Sequence, residues 1–330
     1  MRKTVCATLA VMMSVLFSPL SQAGQAWESY KARFFKPEGR IVDTGNGGVS
    51  HTEGQGFAML MAVANDDKAT FDKLWQWTNR ELKNKENGLF YWRYNPAESN
   101  PVADKNNAAD GDVLIAWALL KADARWHEKR YGAASDAITK ALVAHSVIRY
   151  AGYRVMLPGV QGFKLDGEVV LNPSYFVFPA WQAFAGRSHL PVWRDLIKDG
   201  KRLLGKMGSG KADLPADWVS LASDGKLEPA KGWPPRMSYD AIRIPLYLAW
   251  SDKQSPLLTP WKAWFGQFPR EQTPAWVNVM TNEYAPYMME GGLLAVRDLT
   301  MGQSSGEPEI TSKDDYYSAS LKMLAWISAQ

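Results

Sequence analysis

The sequence predicts an all-α protein, a toroid of paired helices whose long loops gather at one end to build a cleft. Three observations lead there. Apolar residues recur at helical spacing in eleven segments of about 10–18 residues. The stretches between them (36–51, 84–109, 149–172, 208–237 and 268–286) are long and rich in Gly, Pro and Asn, and loops of that length inside a compact domain usually carry function. No strand–helix–strand alternation exists that would build a parallel sheet. An irregular α-solenoid is the alternative arrangement of the same elements. No low-complexity linker and no repeat of fixed sequence divides the chain, so residues 24–330 are expected to form one domain.

Residues 1–23 stand apart. Arg2 and Lys3 open them, an apolar run follows from Val5 to Phe17, and Ser21-Gln22-Ala23 carries the small residues that a signal peptidase reads. This pattern predicts a secretory signal peptide cleaved after Ala23, too short in its apolar part to span a membrane. Export to a periplasm or the exterior is the expectation, with no membrane insertion once the signal is removed. Cys6, the single cysteine, lies inside the signal. The exported chain would then have no disulfide, thiolate metal site or cysteine nucleophile.

The helical segments follow at 25–35, 52–65, 67–83, 110–126, 131–148, 173–186, 191–207, 238–250, 257–267, 287–299 and 314–328. The second opens on Ser50-x-x-Glu53, the pattern of a capping box. Asp110 or Asp112 can cap the fourth. The sixth follows Asn172 with Pro173 in its first turn, and Pro245 places the start of the eighth near itself or kinks it. Alternation in Tyr153–Leu157 and in Glu168–Leu171, with turn residues between, predicts one short hairpin over 150–171.

Composition excludes several functions. The net charge is +4, of which Arg2 and Lys3 supply two, and no basic block carries interleaved aromatics, so no nucleic-acid partner is expected. The four histidines show no paired ligand spacing, and there is no nucleophile elbow, P-loop or dinucleotide fingerprint. Neither a metal nor a cofactor is predicted. The 15 tryptophans are the outlier. Core filling accounts for most of them; stacking of flat rings on sugar faces is the functional reading.

The capping box at Glu53 leaves Gly54 and Gly56 unexplained, since each costs about 1 kcal/mol against Ala inside a helix. Glycine fits there if another backbone or a ligand must approach the helix end. One cap likewise needs only one of Asp110 and Asp112. Asp240 and Arg243 stand at i and i+3, the spacing of a surface ion pair, yet near a helix start. Tyr175 stands at another. Four segments thus place acids or a tyrosine at helix entries, and in a toroid of paired helices alternate entries share one rim. Glu53, Asp110, Asp240 and Tyr175 among tryptophans suit glycoside hydrolysis, where one carboxylic acid protonates the leaving oxygen and a carboxylate activates water or attacks.

Four motifs now stand in order: TEGQG at 52–56, ADGDVLIAW at 109–117, LNPSYF at 171–176 and YDAIR at 239–243. Through them the chain resembles glycoside hydrolase family 8, most closely the periplasmic endoglucanases associated with bacterial cellulose synthesis. Asp315-Tyr316-Tyr317 is similar to a further family segment. The resemblance implies an (α/α)6 barrel with an open substrate groove, acting as an inverting hydrolase of β-1,4-linked glucan. It implies a monomer whose partner is the glucan, in functional association with cellulose synthesis. On this chain Glu53 would be the general acid and Asp240 the general base. Asp110 would hold the sugar and help position the water, supported by Tyr175 and Arg243. Trp92 would stack on a neighbouring sugar, and Asp112, Gln55 and Tyr317 would be further substrate contacts. Gly54 and Gly56 would let the groove come close to the helix end. Ala109 stands where the family usually has Ser or Thr, and Phe57-Ala58 where Tyr-Gly is common. Neither departure touches a carboxylate, and Asp240 speaks against the chitosan-cleaving branch. Xylan or mixed-linkage glucan as substrate, or a non-catalytic glycan-binding protein, are the alternatives; retention of three carboxylates argues against the last.

Overall fold

The computed structural model describes residues 24–303 and 306–330, so the predicted signal peptide lies outside the described residues. Eleven α-helices are formed among them: α1 (Gln25–Phe34), α2 (Thr52–Ala64), α3 (Lys68–Glu81), α4 (Ala109–Trp126), α5 (Lys129–His145), α6 (Phe178–Ser188), α7 (Pro191–Leu204), α8 (Arg243–Ser251), α9 (Thr259–Phe265), α10 (Gly291–Thr300) and α11 (Tyr316–Ala329). α2 packs on α4, α4 on α6 and α6 on α8; α8 meets α10 and α11, and α11 closes the ring on α2. α3, α5 and α7 each pack behind the inner helix that precedes them. This is the predicted toroid of paired helices.

Burial follows position in the ring. The inner helices α2 and α4 are apolar nearly all round, with every residue from Gly54 to Val63 and from Ala109 to Leu119 buried. The outer helix α3 buries one stripe, Thr70, Phe71, Leu74, Trp77 and Thr78, at the spacing of an amphipathic helix.

Close approach of the inner helices explains the glycines of α2, and corrects the expectation that they make room for substrate. A Cβ on Gly56 would lie 2.5 Å from Leu114 Cβ, and one on Gly111 would collide with Thr52, so α2 and α4 touch through reciprocal small residues. A Cβ on Gly54 would lie 2.6 Å from the Tyr316 hydroxyl of α11. Gly56→Ala is therefore expected to destabilise the fold by about 1–3 kcal/mol through overpacking, read by urea denaturation. The capping box is not formed either. α2 has His51 at its N-cap with no side-chain cap, while Ser50 Oγ donates to the Ile41 carbonyl at 2.5 Å.

Short antiparallel strands order the long loops: β1 (Ser50–His51), β2 (Arg93–Tyr94), β3 (Val147–Tyr150), β4 (Tyr153–Met156), β5 (Glu168–Leu171), β6 (Val219–Ala222), β7 (Leu227–Pro229), β8 (Arg236–Met237) and β9 (Val277–Asn278). Both strands of the predicted 150–171 hairpin exist, but they do not pair with each other. β4 pairs with β3, whose first two residues, Val147 and Ile148, fall at the end of the expected 131–148 helix. Ala151 and Gly152 join them at φ 47° and 80°, the left-handed turn that matches strand twist. β5 pairs instead with β6, from Glu168↔Ala222 to Leu171↔Val219.

Candidate active site

The N-terminal ends of α2, α4, α8 and α11 converge on a groove segment of about 430 Å³. Glu53 lies in the first turn of α2 and Asp110 in that of α4, while Asp240 sits in the turn that leads into α8. Tyr175 ends a 3-10 turn over Pro173–Tyr175, ahead of α6, in which the Asn172 side chain accepts from the Ser174 amide. Pro245 falls in the first turn of α8, where no intrahelical donor is needed. All these helix ends present their positive poles to the groove, which favours carboxylates there.

Arg243, the first residue of α8, ties the site together. Its side chain is 5% exposed, and it reaches Glu53 Oε2 at 3.2 Å, Asp240 Oδ1 at 3.0 Å and Asp110 Oδ2 at 3.8 Å. It also donates to Ser174 Oγ at 3.0 Å and to Tyr317 Oη at 2.9 Å, and Tyr317 donates in turn to the Tyr239 carbonyl. Burial opposes the charge of Arg243, but Glu53, Tyr317, Asp240 and Asp110 hold it well above its ordinary value. Burial, with Glu53 beside it, pushes Asp110 well above the usual carboxylate range. Burial and the neighbouring Asp110 likewise raise Tyr175, which keeps its phenol proton.

Trp92 lines the same groove. Its carbonyl accepts from the Thr52 amide at 3.0 Å, and its ring stacks within 5° of His51. The structure thus brings Glu53, Asp110, Asp240, Tyr175, Arg243, Trp92 and Tyr317 to one cavity.

Gln55 and Asp112 are placed elsewhere, which corrects two expected substrate contacts. Both are fully buried and absent from the groove wall. Residues at i and i+2 of a helix do not share a face, so Gln55 turns away from Glu53 and Asp112 from Asp110. Gln55 accepts from the Ile41 amide at 2.7 Å and donates to Thr78 Oγ1 at 2.9 Å, which pins the 36–51 loop. Asp112 accepts from the Phe90 amide at 2.9 Å and from Asn107 Nδ2 at 2.8 Å, which pins the 84–109 loop.

Burial pushes Asp112 from 3.8 up to about 7. A carboxyl raised on folding contributes stability that is full below its unfolded value and lost as pH rises through the folded one. Asp112→Asn is therefore expected to shrink the fall in unfolding free energy between pH 4 and pH 7. Urea denaturation at the two pH values reads it.

The family profile described as glycosyl hydrolases family 8 matches residues 1–330. The chain belongs to that family. An endoglucanase of Cellulomonas uda is 62% identical over 303 residues, covering 92% of this chain and 84% of that protein. A crystal structure of a family 8 endoglucanase from Klebsiella pneumoniae is 66% identical, with a TM-score of 0.92 over 92% of this chain and 98% of that one. A family 8 endo-β-1,4-glucanase from an Achatina fulica gut metagenomic library has the same identity and TM-score over 94% and 99%.

This family 8 chain also holds site residues that sequence reasoning passed over. Asp217, in the loop before β6, accepts from the Ser238 amide at 2.9 Å and the Ala241 amide at 2.8 Å, and from Ser238 Oγ. Its carboxylate brackets the turn that carries Asp240 on both sides. Burial, together with Asp240, raises it to about 6. Tyr316 donates to Glu53 Oε1 at 3.5 Å. The 208–237 loop has no periodicity to reveal Asp217; Tyr316 was legible only as a neighbour of Tyr317. Asp217→Ala is expected to lower kcat roughly 10²-fold by loosening Asp240, with KM nearly unchanged. Asp217→Asn, which keeps an acceptor for both amides, is expected to recover most of that loss in the same assay.

Proposed function

We propose that the chain is an exported endo-β-1,4-glucanase that cleaves cellulose-type chains with inversion, Glu53 acting as acid and Asp240 as base. The observation that carries this reading is Arg243, which holds three carboxylates from three helix entries around one groove. Glu53 gives its proton to the glycosidic oxygen as the C–O bond breaks. Asp240 takes a proton from a water that attacks the anomeric carbon from the opposite face. Because Glu53 and Asp240 sit on two nitrogens of one guanidinium, their nearest oxygens stay below the upper end of the roughly 6.5–9.5 Å that an inverting pair uses. Asp110 faces the sugar between them, with Tyr175 behind it and Trp92 as a stacking ring.

The groove suits internal cleavage. It shares Tyr239, Asp315 and Tyr317 with a neighbouring cavity of about 650 Å³, so a chain can run on past the reacting bond. The relatives named as endoglucanases support the same substrate. Trimming of nascent or soluble chains during cellulose synthesis, by a monomer outside the cytoplasm, belongs to the same proposal. Release of reducing ends from carboxymethylcellulose, lichenan, xylan and chitosan tests the reading. The first should be cut readily. Faster cleavage of xylan would move the substrate, and no cleavage of any would leave a glycan-binding protein.

A further inference from the structure

Beyond the catalytic groove, Phe163, Trp218 and Trp233 form a row of nearly parallel rings. Phe163 and Trp218 lie within 6° at 5.7 Å, and Trp218 and Trp233 within 19° at 4.9 Å. Tyr175, which lines the groove, meets the Trp218 ring edge-on at 6.1 Å. The row therefore leads from the catalytic centre to the surface. There Trp233 is 36% exposed beside Met280 at 60%, and it opens on a second cavity of about 450 Å³.

That cavity has apolar walls from Leu227, Pro229, Pro235 and Met280, with Ser209 and Glu228 as polar neighbours and no cationic side chain. A flat apolar ring in a cavity that also holds the Ser209 hydroxyl and the Glu228 carboxylate, the latter paired with Lys226 at 2.9 Å, matches a glucosyl ring, which has apolar C–H faces and a rim of hydroxyls. The platform is also rigid. Trp218 directly follows Asp217, and its carbonyl accepts from the Ala230 amide at 2.9 Å. The Pro235 carbonyl accepts from Val279 at 2.8 Å, and Arg236 stacks 3.6 Å above Trp276. β8 then runs straight into the turn that carries Asp240. A ring fixed in advance binds without an ordering cost.

We propose that Trp233 and its cavity are a distal glucan-binding site, occupied by the same β-1,4-glucan chain that passes through the groove. The proposal rests on the glucan reading of the groove. Continuity through Tyr175 and Trp218 favours a neutral polysaccharide over a second copy of the chain.

The test compares wild type, Trp233→Ala and Trp233→Tyr on long carboxymethylcellulose and on cellotetraose. Trp233→Ala should lower the ratio of kcat/KM for polymer to that for cellotetraose by roughly three- to tenfold, and Trp233→Tyr should restore most of it. Affinity electrophoresis of Glu53→Gln with and without Trp233→Ala, in gels containing the polymer, should show weaker retention for the double variant. An unchanged ratio overturns the proposal, as does an equal loss on both substrates. A changed oligomeric state of Trp233→Ala by sedimentation, with the ratio intact, would make the face an interface between copies and also overturn it. If wild type cleaves neither substrate, the glucan reading of the groove has failed, a separate result.

Discussion

Glu53→Gln is expected to lower turnover of β-1,4-glucan by roughly 10²–10⁴-fold, the range of a lost general acid, while binding of cello-oligosaccharides persists. Glutamine keeps the volume and, with its oxygen towards Arg243 Nη1 (3.2 Å from Glu53 Oε2), an acceptor for that cation, while its amide nitrogen takes the place of Oε1 and donates to Tyr316 Oη, 3.5 Å away. It cannot give up a proton to a leaving oxygen. The Glu53 side chain is 18% exposed and at the groove wall, so the fold should tolerate the exchange. Steady-state kinetics with calorimetry of cellotetraose binding separate the two effects. Near-wild-type turnover in a folded Glu53→Gln variant would remove Glu53 from the reaction.

The second large effect falls on Arg243. Replacement by Met leaves Glu53, Asp110 and Asp240 around one point without a cation, and takes a donor from Ser174 and Tyr317. Breaking a buried ion pair from one side costs about 3–5 kcal/mol, because the remaining charge stays buried. Arg243→Met is therefore expected to lose stability of that order in urea, together with its activity. Arg243→Lys should regain part of the stability and little of the turnover. An ammonium is a point charge and cannot place two nitrogens on carboxylates of separate helices at once. Equal recovery of both in the lysine variant would mean that charge alone, and not the planar fork, organises the site.

Much of this was readable in the chain before its structure. The helices over 52–65 and 110–126 were legible from apolar residues at helical spacing, and the structure makes both inner, with every position from Gly54 to Val63 and from Ala109 to Leu119 buried. Glu53, Asp110, Asp240, Arg243 and Tyr175 stand at helix entries, and entries at one rim meet by geometry alone. Motif membership was a poorer guide. It swept in Gln55 and Asp112, which share a motif with a groove residue but sit two positions along a helix and so face the loops behind. The partner of β5 lies beyond two helices, in β6, where alternation in one segment carries no trace of it. Asp217 is hidden for a related reason: its role depends on a loop folding back onto the Asp240 turn. The glycines of α2 were noticed for the right physical reason, close approach. Their neighbours proved to be Leu114 and Tyr316 of the protein itself.

In an inverting hydrolysis Glu53 and Asp240 act from opposite faces of the sugar in a single displacement. Proton NMR of cello-oligosaccharide hydrolysis in its first minutes tests this most directly, by the configuration of the new reducing end before it mutarotates. The α-anomer is expected first. Appearance of the β-anomer first would mean a covalent glycosyl intermediate and would contradict the single displacement.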